Sequence, residues 1–119
     1  MISRQDAVKS ILESTGAAVY YFYPACWTSI PVISWRESGN RCFRRADGAE
    51  HLSELTYTID IWADNPSAVA ELAKAVDSRM AAARFRRESA ADLFETSTRY
   101  YHRNIRYRCI ADALGNVYQ

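Results

Sequence analysis

Lysine is nearly missing from this chain of 119 residues: apart from Lys9 and Lys74, its 15 basic residues are all arginine. Against 14 acidic residues they leave a net charge of +1, which gives no long-range pull toward nucleic acid or toward an acidic partner. Glycine is scarce too, with four residues standing singly, so there is no phosphate-cradling loop and no dinucleotide fingerprint. His51 and His102 lie far apart and no cysteines are closely paired, which excludes the common metal-ligand spacings and predicts that no cofactor is bound. Cys26, Cys42 and Cys109 are odd in number and read as reduced thiols. No nucleophile elbow is present. His51-Leu52-Ser53-Glu54 is too local to converge as catalytic groups, so the chain reads as no enzyme. The N-terminal residues lack the apolar core of a signal peptide, and no run approaches the ~18 apolar residues of a membrane span. Those features predict a soluble, cytoplasmic product with no membrane partner.

The most informative stretch is Glu54 to Phe85. Leu55, Tyr57, Ile59 and Ile61 alternate with Thr56, Thr58, Asp60 and Trp62, which predicts a strand with one wholly apolar face. Asn65 before Pro66 suits an N-cap followed by the first helical position, where the missing N–H costs nothing. Val69, Leu72, Ala73, Val76 and Met80 then recur at helical spacing. Upstream, Ser3 and Asp6 resemble a capping box for a short helix closed by Gly16. Ala18 to Tyr23 is apolar or aromatic on both faces, which predicts a buried or interface-covered strand ended by Pro24, and Pro31 to Trp35 a second extended run with a turn at Ser38-Gly39-Asn40. From Gly39 to Ser53 the pattern lapses into a polar segment, expected as a long projecting loop. After the central helix come a short strand at 85–88, a turn region at 90–96, a half-buried strand from Thr98 to Ala111 and a loosely held tail. The order predicts one α+β domain over residues 1–119: a mainly antiparallel sheet of about four to five strands, with two helices on one face.

Four groups of residues are candidates for interaction. Tyr20, Tyr21 and Tyr23 make an aromatic run of the kind enriched at subunit interfaces, although their hydroxyls can equally serve strand ends. Asp60 and Trp62 share the less apolar face of the central strand, where Asp60 is expected as a partly exposed carboxylate beside an arginine. Arg41, Arg44 and Arg45 lie in the polar segment. Arg103, Arg106 and Arg108, with tyrosines interleaved, could line a nucleic-acid groove or form a solvated face balanced by acidic neighbours.

The run Tyr57-Thr58-Ile59-Asp60-Ile61-Trp62-Ala63-Asp64-Asn65, the helix with Val76-Asp77 and Met80, and Phe85-Arg86-Arg87 resemble the tail terminator proteins of long-tailed bacteriophages. The resemblance reaches upstream to Phe22-Tyr23-Pro24 and Pro31-Val32-Ile33-Ser34-Trp35, and downstream to Arg99-Tyr100-Tyr101-His102. It implies a virion structural protein that forms a hexameric ring on the tail tube, stops polymerisation of the major tail tube protein, and offers the joining surface for the head connector or stopper protein. DNA would pass through the ring without sequence-specific binding, and assembly would occur in the host cytoplasm. Another neck protein, such as a connector or stopper, shares the same ring logic, and a small nucleic-acid-binding module is the alternative of another class. The family commonly has Gly where Arg84 stands; Gly accepts a left-handed cap freely, so the substitution predicts a different helix end here.

Overall fold

The computed structural model describes residues 1–27, 30–46, 49–97 and 99–118. Along the chain run α1 (Gln5–Glu13), β1 (Ala18–Tyr21), β2 (Val32–Ala46), β3 (Ala49–Ala63), α2 (Pro66–Ala82), β4 (Arg86–Glu95), β5 (Tyr100–Asp112) and β6 (Val117–Tyr118). The strands form one sheet of six, in the order β1-β2-β3-β5-β4, with β6 added to the end of β5. Only β1 and β2 run parallel; the other pairings are antiparallel. The α+β class and the mainly antiparallel sheet thus follow the sequence reading, with more strand than it foresaw.

The central stretch folds as its pattern dictates. Leu55, Tyr57, Ile59 and Ile61 of β3 are fully buried and join Ile105, Tyr107 and Cys109 of β5 in a core cluster. Val8 and Leu12 of α1 and Val69, Ala73, Val76 and Met80 of α2 belong to the same cluster. Each fully buried aliphatic side chain contributes roughly 1.5–3 kcal/mol. Two phenols are the largest polar side chains of this core. Tyr57 donates to Glu37 Oε1 at 2.8 Å and accepts the Arg4 N–H at 2.9 Å, and Tyr107 donates to Asp77 Oδ1 at 2.8 Å. Burial first, and the carboxylate each one faces second, push both phenols well above the ordinary range, so they stay neutral donors.

The helix ends differ from expectation in both directions. Asn65 caps α2 as predicted, its Oδ1 accepting the Ala68 N–H at 2.8 Å. For α1 the N-cap position falls on Arg4, and Ser3 Oγ accepts only the Gln5 N–H at 3.2 Å, so the capping box does not form. At the end of α2, Arg84 takes a left-handed φ of 69°. Phe85 N–H reaches Met80 O at 2.9 Å and Arg84 N–H reaches Ala81 O at 2.9 Å, the two bonds of a Schellman motif. The helix therefore ends as a glycine-capped one would, and Arg84 carries the strain.

The polar segment is the larger correction. The described residues between Gly39 and Ser53 are strand, not loop: they form the outer half of a hairpin in which Val32–Ala46 pairs with Ala49–Ala63. Ser38-Gly39-Asn40 lies inside β2 at a register shift between Glu37 and Gly39, and further shifts follow at Cys42/Arg44 and Arg44/Arg45. Asp47 and Gly48 lie outside the described residues. Because β5 pairs with β3 only from Leu52 onward, the outer part of the hairpin has no third strand and projects as an arm, and the molecule measures 51 × 25 × 21 Å. The expected turn at 90–96 is also mostly strand, since β4 runs on to Glu95. Thr98, expected to open the last long strand, lies outside the described residues. The tail is fastened rather than loose, because β6 pairs with Ile110 and Ala111 and Asp112 accepts from Leu114 N, Asn116 N and Tyr118 Oη.

Candidate interaction surface

On the sheet face opposite the aliphatic core, the even-numbered residues of β3 and β5 fall into two zones. At one end, Trp62 is 2% exposed and stacks on the His102 ring, centroids 4.4 Å apart and planes at 17°. Trp27, from the segment after β1, meets Trp62 edge-on at 5.4 Å and stacks on Tyr100 at 5.1 Å. Tyr23 closes the group, edge-on to both tryptophans. Beneath these rings Asp60, 6% exposed, has His102 Nε2 at 2.6 Å and accepts from Asn104 Nδ2 at 2.8 Å, with Arg36 Nη1 4.0 Å away. An ionised carboxylate only accepts, so Nε2 carries the proton in that pair. The expected partly exposed Asp60 is therefore buried; the arginine foreseen on the neighbouring strand is there, as Arg36 at the edge of ion-pair range, and His102 and Asn104 make the closer contacts. Asp60 and Trp62 lie inside the subunit, not on its surface.

At the other end the face is charged. Glu54 of β3 accepts from Arg41 Nη2 at 3.2 Å on one side and from Arg108 Nη1 at 2.9 Å on the other, so one carboxylate ties three strands together. Arg108 Nε also lies 3.8 Å from Glu88. Arg106 is exposed and makes no ion pair among the described residues. Arg103, one residue out of phase, points to the core side of the sheet and grips Asp92 of β4 with two bonds at 2.6 and 3.1 Å. Those hydrogen bonds hold the Asp92 carboxyl below its ordinary range. The strand's arginines are thus divided between two faces and do not form one stripe. Arg44 and Arg45 are exposed on the arm.

The tyrosine run is split as well. Tyr20 and Tyr21 lie on β1, where Tyr21 packs edge-on to Trp35 at 4.9 Å and to Phe22 at 4.8 Å. Phe22 then takes a left-handed φ of 72°, which ends the strand before Pro24 and turns Tyr23 onto the opposite face. Tyr21, Phe22 and Tyr23 remain 48%, 59% and 55% exposed, so β1 is an open edge that the chain itself does not bury; of the two expectations, buried or interface-covered, the first does not hold. Trp27, Tyr100 and Glu54 escaped the sequence reading, because their roles depend on strand register. Leu93 and Phe94, 54% and 48% exposed on the other edge strand, escaped because their segment read as a turn. Among the described residues, no group of three or more His, Cys, Asp or Glu side chains is placed to hold a metal ion, and no helix is long and apolar enough to cross a membrane.

Residues 2–112 match the model of a protein family described as tail completion protein gp17. Among solved structures, the fold is similar to a chain of the virion of a native gene transfer agent particle, with a TM-score of 0.67 and 15% sequence identity over 87% of this chain and 90% of that one. At that identity the likeness speaks for the fold. No curated protein matches the sequence.

Proposed function

The chain belongs to the tail completion protein gp17 family of phage tail structural proteins, and from that premise we propose that it is a tail terminator. Copies of the chain close into a hexameric ring on the end of the tail tube. The ring stops polymerisation of the major tail tube protein and presents the surface to which the head connector or stopper protein joins. A ring of identical head-to-tail contacts closes on itself, and its two rims differ, so one rim can match the tube while the other matches the head. Both helices cover one face of the sheet in this reading, which leaves the edges and the charged end of the other face for neighbours.

The observation that supports the proposal over a nucleic-acid module is that three of the six arginines singled out are paired within the chain, while Arg44, Arg45 and Arg106 stay exposed. Arg103 is held by Asp92, and Arg41 and Arg108 share Glu54. A phosphate-gripping surface keeps its guanidiniums available; paired ones let DNA pass without holding it. The role is structural and needs no catalytic group or cofactor.

Sedimentation across a range of concentrations, alone and with purified tail tubes, tests this reading. The expected result is a species of six-chain mass, or tubes that cease to elongate once capped. A chain that stays monomeric in every condition overturns it. Submicromolar, sequence-dependent duplex binding at physiological salt would promote the nucleic-acid module instead.

A further inference from the structure

Six side chains carry an assembly signal that the ring reading alone does not specify. Apart from Met1, Leu114 and Tyr118 near the termini, every large exposed apolar residue among those described lies in one of two groups: Tyr21, Phe22 and Tyr23 beside β1, and Leu93, Phe94 and Tyr101 on or beside β4. β1 and β4 are the two edges of the sheet. We propose, resting on the ring reading, that neighbouring copies join edge to edge, with the Leu93–Phe94 end of β4 in one copy against the Tyr21–Phe22 end of β1 in the next.

Edge strands that must remain single carry lysine, proline, bulges or inward charges. β1 reads Ala-Val-Tyr-Tyr with no charge at all, and the register shift of β4 lies at Arg87/Ser89, leaving its apolar end regular. Direction fits as well. Across the sheet β4 runs antiparallel to β1, so a rotation about an axis along the strands brings β4 of one copy beside β1 of another in antiparallel register, with neither strand reversed. The two apolar ends are offset: Leu93 shares a row with His102, Trp62, Val32 and Ala18, while Tyr21 shares one with Trp35, Ile59, Ile105 and Ala90. Phe94, in the row of Tyr101 and on the same face as Tyr21, meets Tyr21 when each copy is staggered by four residues, about 13 Å at the usual strand rise, and stagger is what a closing sheet requires. A groove of about 440 Å³ between α1 and β1, bounded by Asp6, Lys9, Val19, Tyr21 and Trp35, lies ready for the Phe94 ring. Because the two edges differ, the contact is heterologous and repeats, whereas β4 against β4 would stop at a dimer with β1 still open.

The test is thiol cross-linking in a Cys26→Ser, Cys42→Ser background, using a short bis-maleimide on Tyr21→Cys, Phe94→Cys and the double variant. Only the double variant should give a ladder of covalent multimers. Dimers from Phe94→Cys alone would overturn the proposal in favour of like-with-like pairing. Rings that sediment normally yet give no ladder would overturn it and leave the ring reading standing; a parent protein that never assembles would overturn both. As a second measure, Leu93→Lys should raise the concentration for half-assembly about tenfold or more, with an unchanged monomer circular dichroism spectrum. Unaltered assembly of Leu93→Lys would count against the edge contact.

Discussion

The two faces of the central sheet are buried by different chemistry. The core face is aliphatic and continuous: Leu55, Ile59, Ile61 and Ile105 meet Val8, Leu12, Val76 and Met80, and its phenols are satisfied from Glu37 and Asp77. The opposite face is closed at one end by four aromatic side chains over a buried Asp60, and at the other end it holds arginines and carboxylates in water. The first kind of surface holds the fold together and can afford little change. The second fixes one end firmly and leaves the other open to water.

Substitutions can break or sharpen that contrast. The largest effect should come from Phe85→Ala, which removes a ring 1% exposed that sits 5.8 Å from Tyr57 in the core. Chemical denaturation should register a loss of about 3–5 kcal/mol. Next is Asp60→Ala. It strips His102 and Asn104 of a shared charged acceptor and should cost about 1.5–3 kcal/mol. Because Trp62 stacks on His102, near-ultraviolet circular dichroism should change as well, and an unchanged spectrum would mean that the aromatic lid does not depend on the carboxylate. Arg84→Gly, at the join between α2 and β4, should work in the other direction. A non-glycine residue in the left-handed region costs roughly 1–2 kcal/mol, part of which glycine's extra freedom in the unfolded chain cancels. A net stabilisation of about 0.5–1 kcal/mol should show as a higher denaturation midpoint. The smallest stability effect belongs to Arg106→Glu, whose exposed side chain has no ion pair among the described residues. Monomer stability should shift by no more than about 0.5 kcal/mol, while assembly or head joining is impaired; a monomer that unfolds readily would place Arg106 in the fold and not at a contact.

How much the sequence disclosed followed the same contrast. Where one face is continuously apolar, the period is clean, and β3 from Leu55 onward and α2 were legible down to the Asn65 cap. The hairpin was hidden because register shifts at Glu37/Gly39, Cys42/Arg44 and Arg44/Arg45 break the alternation, and because a ribbon in water has no apolar face to display. β4 was hidden for a related reason: its residues are exposed on both faces, so Ala90-Ala91-Asp92 carries no periodic signal. The Asp60–His102 contact spans 42 positions. It becomes visible only once Asp60 is paired with Asn104, one step from His102 on the same face. Tyr21 and Tyr23 stood out in the sequence as one aromatic run, but the turn at Phe22 that sends them to different faces is a backbone property no composition predicts.

The carboxylate of Glu54 acquires a further meaning from its position. It stands two residues inside the point where β5 stops and the hairpin goes on alone, held by Arg41 from β2 and Arg108 from β5. Beyond it, two strands must bear their own torsion, and two-stranded ribbons twist more readily than wide sheets. Glu54 is thus a mooring at the root of the arm: the charge it shares between β2 and β5 marks where the three-stranded body ends and the two-stranded ribbon begins.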